Sequence, residues 1–128
     1  MSARILVLDD DELFADSLIT LLDRSGFEPM TLAGGSGLQQ RMLKAHRERA
    51  IRLLLVDLFM PEPDGFEIMR FARRRLDGVP IVGMSGKDGP LLEAMRMLGA
   101  DAVFQKSIEP KRLIGLVQEV LRRPAPLG

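Results

Sequence analysis

Five short apolar runs, separated by longer segments of helical period, constrain this 128-residue chain more than any other feature. Continuous runs of four or so apolar residues are too short for core helices. They suit strands buried on both faces, as in a parallel sheet whose crossovers are helices. Ile5 to Leu8 and Leu53 to Val56 are the two fully apolar runs, and each ends abruptly in aspartate, at Asp9-Asp10-Asp11 and at Asp57. Both read as central strands. Glu28 to Leu32 is more polar and contains Pro29, which lacks the amide hydrogen a central ladder requires, so it belongs at an edge. Ile81, Val82 and Met84 fill a strand opened by Pro80, and Ala102 to Phe104 form a short last one.

Between the strands, apolar residues recur at helical spacing. Phe14, Leu18, Leu21 and Leu22 mark a first helix stopped by Ser25-Gly26. A second runs from about Ser36 to Arg49, with Leu38, Met42 and Ala45 on one face. Before it, Ala33-Gly34-Gly35-Ser36-Gly37 has the composition of a phosphate loop but no GxGxxG or GK[ST] pattern, and reads as a turn. The third helix starts near Asp64 and buries Phe66, Met69, Ala72 and Leu76; the fourth carries Leu91, Leu92, Met95 and Leu98 and closes at Gly99. The fifth presents Leu113, Ile114, Val117, Val120 and Leu121. With right-handed crossovers, the expected fold is α/β, a five-stranded parallel sheet in the order 2-1-3-4-5 with helices on both faces, the flavodoxin-like arrangement. One domain over residues 1–123 is expected, with 124–128 as a proline-containing tail or the start of a linker.

Composition removes several classes of function. Eighteen basic and eighteen acidic residues cancel, so no global field draws the chain to nucleic acid or to an anionic membrane, and direct binding to either is not expected. Without cysteine there is neither a thiol nucleophile nor a disulfide framework, and the N-terminal apolar run is too short and too soon broken by acids to be a signal or a span. A cytoplasmic location follows as the expectation. Arg73-Arg74-Arg75 reads as a solvated helix end, and His46, with no visible partner, as a solvent-exposed histidine.

In an open parallel sheet the ligand site lies beyond the carboxyl ends of the strands, at the switch point of the strand order. There the first strand supplies Asp9 and Asp10, the third Asp57, the fourth Ser85 and the fifth, just beyond Phe104, Lys106. Carboxylates crowded in a partly dehydrated crevice repel one another and titrate as a coupled group. A divalent cation offsets that repulsion, and oxygen ligands without Cys or His suit Mg²⁺, with Mn²⁺ as a substitute. Such a site fits phosphoryl transfer, with a carboxylate attacking in line while metal, ammonium and hydroxyl stabilise the equatorial oxygens. Asp57, alone at the tip of a buried strand, is the best nucleophile; Asp9 and Asp10 are better placed to hold metal, and Asp11 to cap the first helix.

In these residues the chain resembles a response-regulator receiver domain over nearly its whole length. The matching pieces are Ile5-Leu6-Val7-Leu8-Asp9-Asp10, Asp57-Leu58-Phe59-Met60-Pro61-Glu62-Pro63-Asp64-Gly65, Ser85-Gly86, and Gly99-Ala100-Asp101 leading to Lys106. The resemblance implies that Asp57 is the phosphoacceptor, that Asp9 and Asp10 belong to the metal site, and that the backbone carbonyl of Phe59 is a further ligand. It implies that Ser85 binds a phosphoryl oxygen, that Lys106 pairs with the group, and that the donor is a sensor histidine kinase or phosphotransfer protein. Output to a protein or domain would pass through the face of the fourth helix, fifth strand and fifth helix, with a homodimer as one form of contact. The chain would assist its own phosphorylation and dephosphorylation without being a turnover enzyme.

Two positions depart from the family pattern. Ser107 follows Lys106 where a cis proline is common, so the peptide there is expected to run trans and to aim the lysine differently. Val103 stands where an aromatic residue is usual, and Phe104 next door points to the opposite face, so an aromatic switch is not expected. Phe59 and Lys87, two residues after Asp57 and Ser85, are expected to slow loss of the phosphoryl group. A pseudo-receiver acting as a phosphorylation-independent binding module is the alternative. A flavin binder is disfavoured by acids where a flavin phosphate would lie. An aspartate-nucleophile phosphatase is disfavoured by Phe59, where a second Asp would be needed.

Overall fold

The computed structural model describes residues 2–86 and 89–124; Lys87 and residues 125–128 of the expected tail lie outside the described residues. Strands β1 (Arg4–Leu8), β2 (Glu28–Thr31), β3 (Leu53–Asp57), β4 (Ile81–Ser85) and β5 (Ala102–Gln105) alternate with helices α1 (Glu12–Arg24), α2 (Leu38–Glu48), α3 (Gly65–Arg75), α4 (Gly89–Met97) and α5 (Pro110–Arg122). All strand pairs are parallel and the order is β2-β1-β3-β4-β5, as the edge position of the Pro29 strand requires.

Side chains on a strand alternate between faces, and here the alternation divides the core into two layers. Ile5, Val7, Leu53, Leu55, Val82, Met84, Ala102 and Phe104 pack with Leu18 and Leu22 of α1 and Leu113, Val117 and Val120 of α5. Leu6, Leu8, Leu54, Val56 and Ile81 face α2, α3 and α4 through Leu38, Met42, Ile68, Met69, Ala72 and Met95. Val103 joins this second layer while Phe104 joins the first, as their adjacency on a strand demands. The Met95 side chain fills the space where a Cβ at Gly83 would stand, 2.6 Å from its terminal methyl, so α4 seats directly on β4.

Several boundaries and environments differ from the sequence expectation. The second helix begins at Leu38 rather than Ser36, because Gly37 holds a left-handed φ of 85° at its N-cap. In α3 the buried apolar residues are Ile68, Met69 and Ala72, with Leu76 just beyond the helix, and Phe66 is only half-buried. Leu98 is exposed: α4 ends at Met97 and Gly99, at φ 118°, turns the chain. His46 is half-buried rather than solvent-exposed, and its Nδ1 accepts the Ile51 N–H at 3.0 Å where α2 returns to the sheet. Nor is Arg73 a solvated helix end. Its guanidinium pairs with Asp101 at 3.0 Å and donates to the Gly99 carbonyl, tying α3 to the turn before β5. Asp101 in turn accepts the Ile81 N–H at 2.7 Å, which fixes that turn to the start of β4.

Candidate functional site

The register of the sheet assembles the site. Leu8 pairs with Val56 at the end of the β1–β3 ladder, so Asp9 and Asp57 leave neighbouring strands side by side. Asp57 pairs with Met84, Ser85 with Gln105, and Lys106 follows immediately. Leu58 N–H donates to the Met84 carbonyl at 3.0 Å and Lys106 N–H to the Ser85 carbonyl at 2.8 Å, so hydrogen bonds pin the chain on both sides of the crevice. Period-two alternation carries Asp9, Asp57 and Lys106 to the side of the sheet that α1 and α5 cover, while Ser85 has the opposite parity.

Asp9, Asp10 and Asp57 each bring a carboxylate oxygen within 4.8 Å of the others. Asp57 is 3% exposed, whereas Asp10 faces solvent. Asp9 Oδ1 accepts the Asp11 N–H at 2.9 Å, and its buried Oδ2 lies 2.7 Å from the Lys106 ammonium, its ion-pair partner. Lys106 also lies 3.4 Å from Asp57 Oδ2, and Asp57 Oδ1 accepts the Phe59 N–H at 3.3 Å. The Lys106–Ser107 peptide is trans, as expected, since the one cis bond among the described residues joins Glu62 and Pro63. From that trans peptide the lysine still enters the acidic pocket. Its ammonium reaches both carboxylates.

Burial, then the nearby Asp9 carboxylate, pushes the Asp57 carboxyl up to about 6, against the pull of Lys106. For Lys106 burial acts to lower the value, but close contact with Asp9 and the attraction of both carboxylates outweigh it and raise the ammonium above its ordinary range. Three crowded carboxylates, all offering oxygen, are a donor set for a hard divalent cation, which fits Mg²⁺. Ser85 is fully buried on β4.

Helix ends hold the surrounding loops. Asp11 caps α1 by accepting the Phe14 N–H at 3.2 Å, the role its place in the acidic triplet suggested. Asp64 caps α3 by accepting the Glu67 N–H at 2.9 Å. Gly65 follows, and a Cβ there would stand 2.3 Å from the Asp57 carbonyl and 2.7 Å from Leu58 Cα, so only glycine lets α3 begin against the backbone of the candidate nucleophile. Sequence reasoning quoted Gly65 as part of a motif without finding that contact. It also placed Phe14 on the apolar face of α1, where it packs, without finding that its ring lies under the Lys106 ammonium, 4.8 Å from Nζ to the centroid. Helical spacing marks a face and cannot tell which strand-end residue meets it.

Strand order and strand-end carboxylates together define a flavodoxin-like α/β domain with an acidic site at its switch point. Comparison with known proteins narrows the class: residues 5–118 match the model of the response regulator receiver domain, and the chain belongs to that family. It is 36% identical over 124 residues to the DNA-binding response regulator MtrA of Mycolicibacterium smegmatis, covering 96% of this chain and 52% of that protein. It is 31% identical over 124 residues to the alkaline phosphatase synthesis transcriptional regulatory protein PhoP of Bacillus subtilis, covering 96% and 50%. The chain thus spans about half the length of these curated relatives. Among solved structures it resembles a CheY-like receiver domain protein from Methanospirillum hungatei JF-1, at a TM-score of 0.77 and 25% identity over 94% of each chain. Receiver domains are signalling modules, phosphorylated on aspartate, that bind Mg²⁺ at an acidic site. No described helix is long and apolar enough to cross a membrane.

Proposed function

We propose that residues 1–123 form the phosphoacceptor receiver domain of a two-component or phosphorelay system, with Asp57 as the phosphoacceptor and residues 124–128 as a tail or the start of a linker. One observation carries the reading: Asp57 is a buried carboxylate at the tip of β3, with Asp9, Asp10 and Lys106 gathered around it. An Asp57 oxygen forms a bond to phosphorus as the bond from phosphorus to the donor's imidazole nitrogen breaks. The imidazole keeps the electron pair and takes a proton from solvent. Lys106 sets a positive charge beside the incoming oxygens, and the Ser85 hydroxyl is the partner for one of them once the group is in place. Asp9, Asp10, Asp57 and the Phe59 carbonyl are the proposed ligands of Mg²⁺, or of Mn²⁺ in its stead. Bound there, the ion offsets the charge of the carboxylates and of the phosphoryl group.

The donor in this reading is a sensor histidine kinase or a phosphotransfer protein in the cytoplasm. Output passes through the α4-β5-α5 face to a protein, to a domain or to a second copy of the chain. Incubation with a small acyl phosphate and Mg²⁺, followed by intact-mass measurement, tests the assignment. The expected result is a gain of one phosphate that Asp57→Asn abolishes. A protein that gains nothing would instead be a phosphorylation-independent binding module.

A further inference from the structure

Lys106 leaves the end of β5 on a flexible four-carbon stem, and two unequal anions compete for its charge, Asp9 at 2.7 Å and Asp57 at 3.4 Å. Attraction alone lets such an ammonium slide toward the nearer carboxylate. A third contact has direction: the Phe14 ring, with its centroid 4.8 Å from Nζ, offers the negative face of its quadrupole. The ring is well anchored. Its residue sits in the first turn of α1, where the Phe14 N–H is held by Asp11, and its side chain packs on the α1–α5 layer. Phe14 and the Lys106 side chain also line one cavity of about 230 Å³, with Leu18, Leu21, Ile108 and Leu113 among its apolar walls. Apart from Lys106, Ser17 is the polar side chain on those walls.

We propose that Phe14 is a positioning residue for the phosphoryl chemistry, its ring holding the Lys106 ammonium over the acidic pocket where charge develops beside Asp57. The inference rests on the reading of Asp57 as phosphoacceptor. A preplaced cation needs no reorganisation during transfer, whereas a mobile one must be collected at each event.

Phosphorylation by phosphoramidate in saturating Mg²⁺, followed by intact mass, reads the effect. Phe14→Leu is expected to slow phosphorylation about three- to five-fold, the size of one cation–π contact, with Mg²⁺ affinity unchanged, and Phe14→Tyr to restore most of the rate. Site-specific replacement of Phe14 by mono-, di- and trifluorinated phenylalanine removes the quadrupole while nearly keeping the shape. The rate should fall stepwise along that series with the thermal midpoint held constant, a pattern that a packing role does not produce. A rate indifferent to fluorination, or a Leu variant as fast as the parent, overturns this inference alone. A parent protein that takes up no phosphate overturns the phosphoacceptor reading and this inference with it.

Discussion

Asp57 shows burial and charge competing at one carboxyl. Its folded value of about 6 lies above the ordinary 3.8, so the folded state holds the proton more tightly than the unfolded chain does. Ionised Asp57 therefore costs stability above pH 6, and the cost fades as pH falls through 6 toward 3.8. The shift, which already includes the pull of Lys106, corresponds to about 3 kcal/mol. Metal-free Asp57→Asn is thus expected to exceed the parent in stability by about 1–3 kcal/mol near neutral pH, with the gap closing between about pH 6 and pH 4. Urea unfolding of both proteins across that range measures it, and a gap independent of pH would assign the gain to something other than charge. Phe59, 48% exposed, stands two residues further on. Its ring is proposed to hinder water at the acyl phosphate, so Phe59→Asn should speed decay of the phosphorylated protein. An unchanged or slower decay counts against the proposal.

At the scale of elements, α3 and β3 are joined by a contact that only glycine permits. A methyl at position 65 would meet backbone at 2.3 Å, and neither the Asp57 carbonyl nor Leu58 Cα can rotate away as a side chain could. Gly65→Ala is expected to destabilise the domain by about 1–3 kcal/mol, as overpacking does, and to slow phosphorylation by displacing the Asp57 backbone. A urea midpoint equal to the parent's would refute it. The differences from the sequence expectation have separate causes: Gly37 at φ 85° delays α2 to Leu38, Leu98 lies beyond the end of α4 and is exposed, and in α3 Ile68 is buried while Phe66 is half-buried. Likewise Arg73 looked like a cation at a helix end until the fold placed Asp101, 28 residues later, beside it.

For the whole molecule, three repelling carboxylates at one end of the sheet make folding and ion binding interdependent. A ligand that binds only the folded state stabilises it by about 2.7 kcal/mol at a free concentration a hundredfold above its Kd. Millimolar Mg²⁺ is expected to raise the thermal midpoint of the parent by several degrees, and to raise it much less in Asp57→Asn or Asp10→Asn. Calorimetry with Mg²⁺ against a monovalent salt of equal ionic strength separates binding from screening.

The parallel sheet, its strand order and the arrival of Asp9, Asp10, Asp57, Ser85 and Lys106 at one end were legible in the sequence, because all follow from local rules. Apolar runs, a proline and helical periods define the strands and helices, and parallel register delivers strand ends to a common edge. Contacts between distant segments were not legible: Phe14 under Lys106, Arg73 on Asp101, and the ammonium reaching both carboxylates from a trans peptide. Each depends on distances across the fold that no spacing along the chain encodes. Tertiary packing also set the raised Asp57 carboxyl, since desolvation arises only when layers close over a charge.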